Sequence, residues 1–227
     1  MEPSDVIKLL EACSDPVYKA GIARYNAPTD NRIGVRAPDM HKIAGKIGTD
    51  HTLALKLWNN QWREARAIAF LIADPREVTE ELMEEWISQV DNWGDCDGCC
   101  GYLFDRTPFA WSKALEWAER EEEFVKRAGF VLMATLAVHD KKAPDATFLE
   151  FLPAIKAHSG DGRNFVKKGV NWALRQIGKR SLMLNKAAIE TAEEVIELGT
   201  RSGRWIARDA LRELRSEKVQ ERLNKKG

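Results

Sequence analysis

The chain has 227 residues, of which 44% are hydrophobic and 31% are charged, a composition typical of a globular protein. The longest apolar runs are too short and too interrupted to cross a bilayer, which excludes a membrane-spanning protein. The formal net charge is zero, with 35 Lys and Arg against 35 Asp and Glu. Because proteins that bind polyanions usually carry a net positive charge, this balance at first argues against nucleic acid as a partner.

Helical patterns follow one another along the whole chain. Glycine and proline fall between apolar segments, and no segment alternates in the way of a strand. Helices are predicted over 3–12, 15–25, 38–48, 51–59, 61–73, 79–91, 92–105, 108–119, 122–139, 145–158, 164–179, 184–198, 203–215 and 217–225. The longest predicted loop is 26–38, and no linker divides the chain. We therefore predict an all-α protein with a single domain over residues 1–227.

The charge is distributed unevenly between the two ends of the chain. Residues 160–227 contain 16 Lys and Arg against 9 Asp and Glu, so the basic charge is concentrated there. Much of the acidic charge lies in two glutamate-rich runs within 80–85 and 119–123. Such runs are most simply solvated helix faces. The last third of the chain can therefore bind a polyanion even though the whole chain is neutral.

Five predicted helices begin with an aromatic residue that is followed, three or four positions later, by a charged one. The pairs are Trp62 with Arg66, Trp93 with Asp97, Phe124 with Arg127, Phe165 with Lys168, and Trp205 with Arg208. Their aromatic members are separated by 31, 31, 41 and 40 residues, close to the period of roughly 40 residues of HEAT and armadillo repeats. This spacing predicts a HEAT-like solenoid with one helix of each repeat along a concave, basic groove.

The segment 93–101 is the least core-like part of the sequence. On a helix, Trp93 and Asp97 share one face. Its three glycines each weaken a helix by about 1 kcal/mol relative to alanine. A local conflict of this kind often marks a functional site. The alternative is that Asp95 or Asp97 only caps the helix.

Three cysteines, Cys96, Cys99 and Cys100, lie in the same segment. A structural zinc site needs four ligands, but the remaining cysteine, Cys13, is distant and the four histidines are scattered singly. A redox Cys-x-x-Cys would normally lie in a βαβ context, which this chain lacks. We expect no metal and no cofactor, and interpret these cysteines as small apolar packing residues. The first residues lack the pattern of a secretory signal, so we also expect a cytoplasmic protein with reduced cysteines.

The segment 165–175 carries a second unusual pattern. Lys168, Trp172 and Arg175 recur at helical spacing and form a basic stripe around a tryptophan. A buried tryptophan between solvated cations is the simpler interpretation. However, Val170 and Leu174 already supply apolar residues on the other face, which leaves Trp172 to line a groove.

These features together resemble the AlkD-type DNA alkylation repair glycosylases, which are HEAT-like repeat proteins. The resemblance rests on 23–25, 34–38, the pair Trp93 and Asp97, 123–128 and 165–175. It implies an enzyme that hydrolyses the N-glycosidic bond of cationic N3- or N7-alkylated purines in duplex DNA, gripping the backbone and leaving the lesion stacked. Double-stranded DNA with alkylated bases is the implied partner, and we expect a monomer.

The resemblance also implies roles for individual residues. Asp97 matches the catalytic carboxylate, Trp93 its aromatic neighbour and Trp172 a second tryptophan of the site. Arg127, in an Arg-Ala pair, matches the residue that holds the DNA backbone, and Tyr25 matches an aromatic residue at the lesion edge.

Further phosphate contacts are expected from Lys168, Arg175 and Arg208. At one position the sequence departs from the family pattern, since Gly94 stands where an acidic residue commonly follows the tryptophan. Two alternatives therefore stay open: a DNA-binding HEAT-repeat protein without catalysis, and a helical scaffold that binds proteins.

Overall fold

The computed structural model describes residues 1–25 and 28–225, with only the backbone for Tyr25. The described residues form helices and short 3-10 turns, without a strand. None of these helices is both long and apolar enough to cross a membrane. The chain divides into two compact units, Met1–Thr107 and Pro108–Gly227. The expected single domain stays a prediction.

The first unit contains seven α-helices: α1 (Pro3–Glu11), α2 (Pro16–Gly21), α3 (Ala37–Ile47), α4 (His51–Trp58), α5 (Arg63–Ile72), α6 (Glu80–Ser88) and α7 (Trp93–Tyr102). Helix α5 lies centrally and packs against α3, α4 and α7. Between α4 and α6 the core is aromatic, because the rings of Trp58 and Trp86 are stacked with centroids 4.2 Å apart. Because α7 packs against α5, it lies directly against the most buried helix of the unit.

Local sequence signals explain where these helices begin. Proline stands in the first turn of α1, α2 and α3, where its missing N–H costs nothing. Asp15, Asp50 and Thr79 precede α2, α4 and α6, and each side chain accepts a hydrogen bond from a first-turn backbone N–H. Such caps satisfy donors that the helix itself leaves unpaired.

The loop 28–36 is fixed by a carboxylate of α5. Glu64 is buried and accepts hydrogen bonds from the backbone N–H groups of Ile33, Gly34 and Val35 at 3.0, 2.9 and 3.4 Å. Gly34 has a φ of 96°, a conformation that favours glycine. A Cβ there would also lie 2.7 Å from the Cβ of Lys19. The loop therefore has one defined conformation although it contains no helix or strand.

The second unit contains eight α-helices: α8 (Ala110–Ala118), α9 (Glu123–His139), α10 (Asp145–Phe148), α11 (Phe151–Ala157), α12 (Asn164–Gly178), α13 (Leu182–Glu197), α14 (Arg201–Leu214) and α15 (Glu217–Asn224). Helix α9 packs against α8 and α12, and α12 also packs against α13 and α14. At Gly129 the backbones of α8 and α9 approach closely, since a Cβ there would lie 2.8 Å from the carbonyl oxygen of Ala114.

The predicted helices are confirmed with three corrections. The predicted helix 145–158 is two helices, α10 and α11, separated at Leu149 and Glu150. Pro153 explains the break, because proline lacks an N–H and its ring collides with the carbonyl of Leu149 four residues before it. The predicted helix 15–25 ends at Gly21 and continues as a 3-10 turn, Ile22–Tyr25. Helix α7 ends at Tyr102, and the rest of the predicted 92–105 is the 3-10 turn Phe104–Arg106.

Candidate functional site

The aromatic residues of the five repeated pairs lie where the sequence places them, near the beginnings of α5, α7, α9, α12 and α14. Trp62 is the N-cap of α5 and Trp93 is the first residue of α7. Phe124 and Phe165 are the second residues of α9 and α12. Trp205 differs, because α14 already begins at Arg201 and the ring lies in the second turn.

At the beginning of α7, capping is carried out by Asn92. The Asn92 side chain accepts a hydrogen bond from the Asp95 backbone N–H at 3.0 Å and donates one to the Asp95 carboxylate at 2.7 Å. The N-cap is therefore Asn92, not Asp95 as one alternative predicted, and the buried Asp95 carboxylate holds the capping side chain in place. Asp97 lies in the second turn, is partly exposed, and follows Trp93 at helical spacing. The two aspartates of this helix, Asp95 and Asp97, therefore lie in different environments.

An arginine of α5 fixes the approach to α7. Both terminal nitrogens of Arg63 donate to the Asp91 carboxylate, at 2.7 and 2.8 Å. Arg63 also donates to the Asp30 carboxylate at 3.1 Å, and its Nη1 lies 4.0 Å from a carboxylate oxygen of Asp95. The arginine side chain is only 11% exposed. It therefore joins α5, the loop 28–36 and the first turn of α7, and so positions Trp93 and Asp97 indirectly.

Sequence reasoning missed Arg63. Its partners come from two segments that are distant in sequence, the loop 28–36 and residues 91–95, and no short motif contains them. The only local signal was an arginine in the first turn of a helix, where basic residues are unfavourable unless they are paired.

Neighbouring aspartates in this cluster have pKa values that shift in opposite directions. The hydrogen bonds from Arg63, with a smaller contribution from Asn92, lower the pKa of Asp91 to about 2. Burial raises the pKa of Asp95 above its ordinary value, and the hydrogen bond from Asn92 only partly offsets this effect. Asp91 is therefore a firmly ionised anchor, whereas ionising Asp95 is opposed by its surroundings.

The inner face of α7 consists of small residues. Cys96, Cys99 and Cys100 are completely buried, as expected of packing residues. Burial raises the pKa values of Cys99 and Cys100, so both remain thiols near neutral pH. Gly98 lies against α5, and a Cβ there would overlap the ring of Phe70. The glycine-rich sequence thus has a structural reason: it lets α7 approach α5 closely. The described residues contain no group of three or more His, Cys, Asp or Glu that could hold a metal ion.

In the second unit, Arg127 is mostly buried and connects two helices. Its side chain, on α9, donates a hydrogen bond to the backbone carbonyl of Phe165 on α12 at 2.7 Å. Beside it, the rings of Phe124 and Phe165 have centroids 5.3 Å apart. The arginine predicted to hold a phosphate is therefore held in place at the beginning of α12.

The basic stripe of α12 is present on its outer face, but its members differ. Lys168 is exposed and makes no ion pair or hydrogen bond with its side chain in the described part of the chain. Trp172 is partly exposed and makes no hydrogen bond or ring contact there either, so it is placed to line a surface. Arg175 instead donates to Glu213 on α14 at 2.7 Å, which balances its charge.

The cations of the repeated pairs are likewise of two kinds. Arg66 donates to the carbonyls of Trp58 and Gln89 at 3.3 and 3.4 Å, and Arg127 is bonded as described above. Lys168 and Arg208 are exposed, and Arg208 also has no ion pair within the described residues. The side chain of Tyr25, predicted at the lesion edge, lies outside the described residues.

Comparison with known proteins agrees with this architecture. One solved structure superposes with a TM-score of 0.76 at 23% sequence identity, over 86% of this chain and 83% of the other. It is described as a new family of proteins related to the HEAT-like repeat DNA glycosylases with affinity for branched DNA structures. This likeness confirms the predicted HEAT-like repeat fold. No match was found among curated proteins. Residues 6–214, which include both units almost entirely, match the family described as DNA alkylation repair enzyme, and the chain belongs to this family.

Proposed function

We propose that the protein is a DNA glycosylase that excises cationic N3- and N7-alkylated purines from duplex DNA. The observation that carries this function is the environment of Asp97. It is a partly exposed carboxylate one helical turn after Trp93, on a helix whose N-cap is the side chain of Asn92. The N-cap position belongs to Asn92, so Asp97 lies within the helix with its carboxylate partly exposed, as a residue that reacts with a bound sugar must be.

The chemistry requires little more than a carboxylate. An N3- or N7-alkylated purine carries a positive charge and leaves without a general acid to protonate it. The sugar that remains resembles an oxocarbenium ion, which a nearby carboxylate stabilises as in glycosidases. Asp97 acts in this way or by positioning the water molecule. The indole rings of Trp93 and Trp172 present π faces to the sugar cation.

The remaining predicted residues bind the DNA. Lys168 and Arg208 are exposed cations and contact phosphates, and Tyr25 approaches the lesion edge. Arg127 is assigned to the backbone beside the lesion, but its side chain is mostly buried and must give up its bond to the Phe165 carbonyl to reach a phosphate. Arg175 contributes less, because it must give up its bond to Glu213 to reach a phosphate.

A second candidate is a DNA-binding protein without catalysis. The affinity for branched DNA named for the similar solved structure favours it. The departure at Gly94 from the acidic residue common at this position also favours it.

A single-turnover excision assay on duplex DNA with one 7-methylguanine separates the two functions. The wild type should release the base, and Asp97→Asn should be slower by about 100-fold or more with duplex affinity unchanged. Asp95→Asn is the matched control, because it alters a buried carboxylate of the same helix that binds the Asn92 side chain and is not assigned to the reaction; its excision rate should fall much less. Salt-sensitive duplex binding without any release would establish the second candidate instead.

The same excision assay also tests the roles of Trp172 and of the positive charge on the lesion. Trp172→Ala should slow excision by about tenfold and weaken binding less, because a π face stabilises mainly the cationic sugar. Uracil and hypoxanthine, which are neutral bases, should not be released from duplexes that contain them. Release of uracil as fast as 7-methylguanine would show that departure does not depend on the charge of the lesion.

A further inference from the structure

One tryptophan of the protein is exposed. Trp205 on α14 is 42% accessible to solvent, whereas the other seven tryptophans, all within the described residues, are buried or half-buried. The packing of α14 does not require this ring, since the helix buries a different face that contains Ile206, Ala207 and Ala210. Exposing an indole forgoes the stabilisation that burial would give it. A singly exposed aromatic residue is common on protein surfaces, so a binding role for Trp205 depends on the charges that surround it.

The surroundings of Trp205 are basic. Arg201, Arg204 and Arg208 precede or follow it at helical spacing, so all four residues lie on one side of α14. From α12, the ammonium nitrogen of Lys167 lies 4.7 Å from the centroid of the Trp205 ring. We call these five residues the Trp205 surface.

The charges of the Trp205 surface are not balanced by carboxylates. Arg201 and Arg208 make no hydrogen bond or ion pair with their side chains in the part of the chain that the structure describes, and Arg204 binds only the carbonyl of Gly199. Towards the end of α14 the situation differs, because Arg212 is paired with Asp209, and Arg215, just after the helix, with Glu193. The positive end of the helix dipole lies on the unbalanced side. This half of α14 is therefore suited to an anionic ligand.

We propose that the Trp205 surface binds an unpaired DNA strand, with one base stacked on Trp205 and the flanking phosphates at Arg201 and Arg208. Sites for single-stranded nucleic acid combine cations along the backbone with aromatic rings on which bases stack. A duplex would use the cations but not the ring, because its bases are already stacked on one another. The inference goes beyond base excision, since it involves no lesion and none of the residues assigned to the chemistry; it shares with the proposed function only Arg208, as a phosphate contact.

The test compares two fluorescent oligonucleotides with the same number of phosphates, an eight-residue oligothymidylate and its abasic counterpart. Fluorescence anisotropy with the full chain should give about tenfold tighter binding of the oligothymidylate, since stacking requires a base. Trp205→Ala should bind both oligonucleotides equally, with the affinity that the wild type has for the abasic one. Trp205→Phe, which keeps a ring, should restore most of the preference. Met183→Ala on α13 is the matched control, because Met183 is 47% exposed but has no role in the surface.

The cations are tested separately by their dependence on salt. Arg201→Ala and Arg208→Ala should each weaken the binding of both oligonucleotides equally. Each should also reduce the slope of log affinity against log salt concentration by about 0.7, the value for one lost phosphate contact with a single strand. Arg212→Ala, on the same helix but paired with Asp209, should leave the slope nearly unchanged.

Two results would overturn the inference. One is equal binding of both oligonucleotides by the wild type, which would mean that the surface contacts phosphates only. The other is an equal loss of affinity for both oligonucleotides in Trp205→Ala, which would mean that the ring has a structural role. Because neither oligonucleotide carries a lesion, the outcome is independent of the excision assay. A base preference without excision would sustain the inference and count against the proposed function, and excision without a base preference would do the reverse.

Discussion

Helices α7 and α12 carry the two predicted tryptophans of the site, but they are stabilised in different ways. In α12, large apolar residues such as Val166, Leu174 and Ile177 are completely buried, so its own sequence pattern determines where it packs. In α7 the buried face consists of cysteines and Gly98, and its position depends on Phe70 and Arg63 of α5. The placement of Asp97 is therefore sensitive to Phe70 and Arg63, which are not among the residues proposed to contact DNA.

The largest expected effect comes from removing Arg63. Arg63→Met keeps the length of the side chain but loses the bonds to Asp91 and Asp30, which should lower the free energy of unfolding by about 2–3 kcal/mol. Arg163→Met is the counterpart at the beginning of α12. Arg163 is 34% exposed, pairs with Asp161 and donates to the backbone carbonyl of Glu121; because solvent screens this more exposed side chain, its loss should cost less, about 1 kcal/mol.

Urea unfolding measures both changes, and the excision assay adds a second readout. Arg63→Met should also slow excision, because it loosens the beginning of α7. Equal losses of unfolding free energy in the two variants would contradict this comparison. They would show that Arg63 is no more important for α7 than Arg163 is for α12.

The next largest effect is expected from substitution of Gly98, where α7 approaches α5 closely. Gly98→Ala should destabilise the protein by about 1–2 kcal/mol, since the new methyl group overlaps the Phe70 ring. In α12, Gly169→Ala meets Phe130 only at 3.4 Å, an ordinary contact, and should be neutral or slightly stabilising. Thermal unfolding of both variants, together with Gly98→Ala combined with Phe70→Leu, checks this: the double variant should recover part of the loss.

The Arg63 cluster also predicts a dependence on pH. The pKa of Asp91 is about 2 in the folded protein and about 4 in the unfolded chain, so its contribution is complete above pH 4 and is lost as the pH falls towards 2. Half of the Asp91 side chain is exposed and water screens the pair, so the contribution is about 1 kcal/mol. The difference in unfolding free energy between the wild type and Asp91→Asn should therefore shrink between pH 4 and pH 2. A constant difference would mean that Asp91 is not the ionised partner.

The smallest expected effect separates two cations of α12. Lys168→Ala should reduce the salt slope of duplex binding by about 0.9, the value for one phosphate contact. Arg175→Ala should reduce it less, because Glu213 already balances the charge. Affinities measured over a range of salt concentrations distinguish them, and an equal reduction would mean that Arg175 leaves Glu213 when DNA binds.

Much of the fold could be predicted from the sequence because helices are encoded locally. Periodic apolar residues, prolines and capping residues are all within one or two turns of the boundaries that they determine, and even the break in 145–158 follows from Pro153. The pair Trp93 and Asp97 could be recognised for the same reason. Long-range contacts could not be predicted in this way. Whether Arg66 and Arg127 face solvent or donate to backbone carbonyls depends on which helix end lies beside them, and the local sequence does not contain that information.

Glu64 leads to an expectation about dynamics. Amide protons of loops usually exchange rapidly with solvent because no hydrogen bond protects them, whereas those of Ile33, Gly34 and Val35 all bond to a buried carboxylate. Replacing these protons with deuterium requires the loop to separate from α5. In hydrogen exchange, these three amides should therefore behave like those of a core helix, and Glu64→Gln, a weaker acceptor with one carboxylate oxygen replaced, should make them exchange much faster.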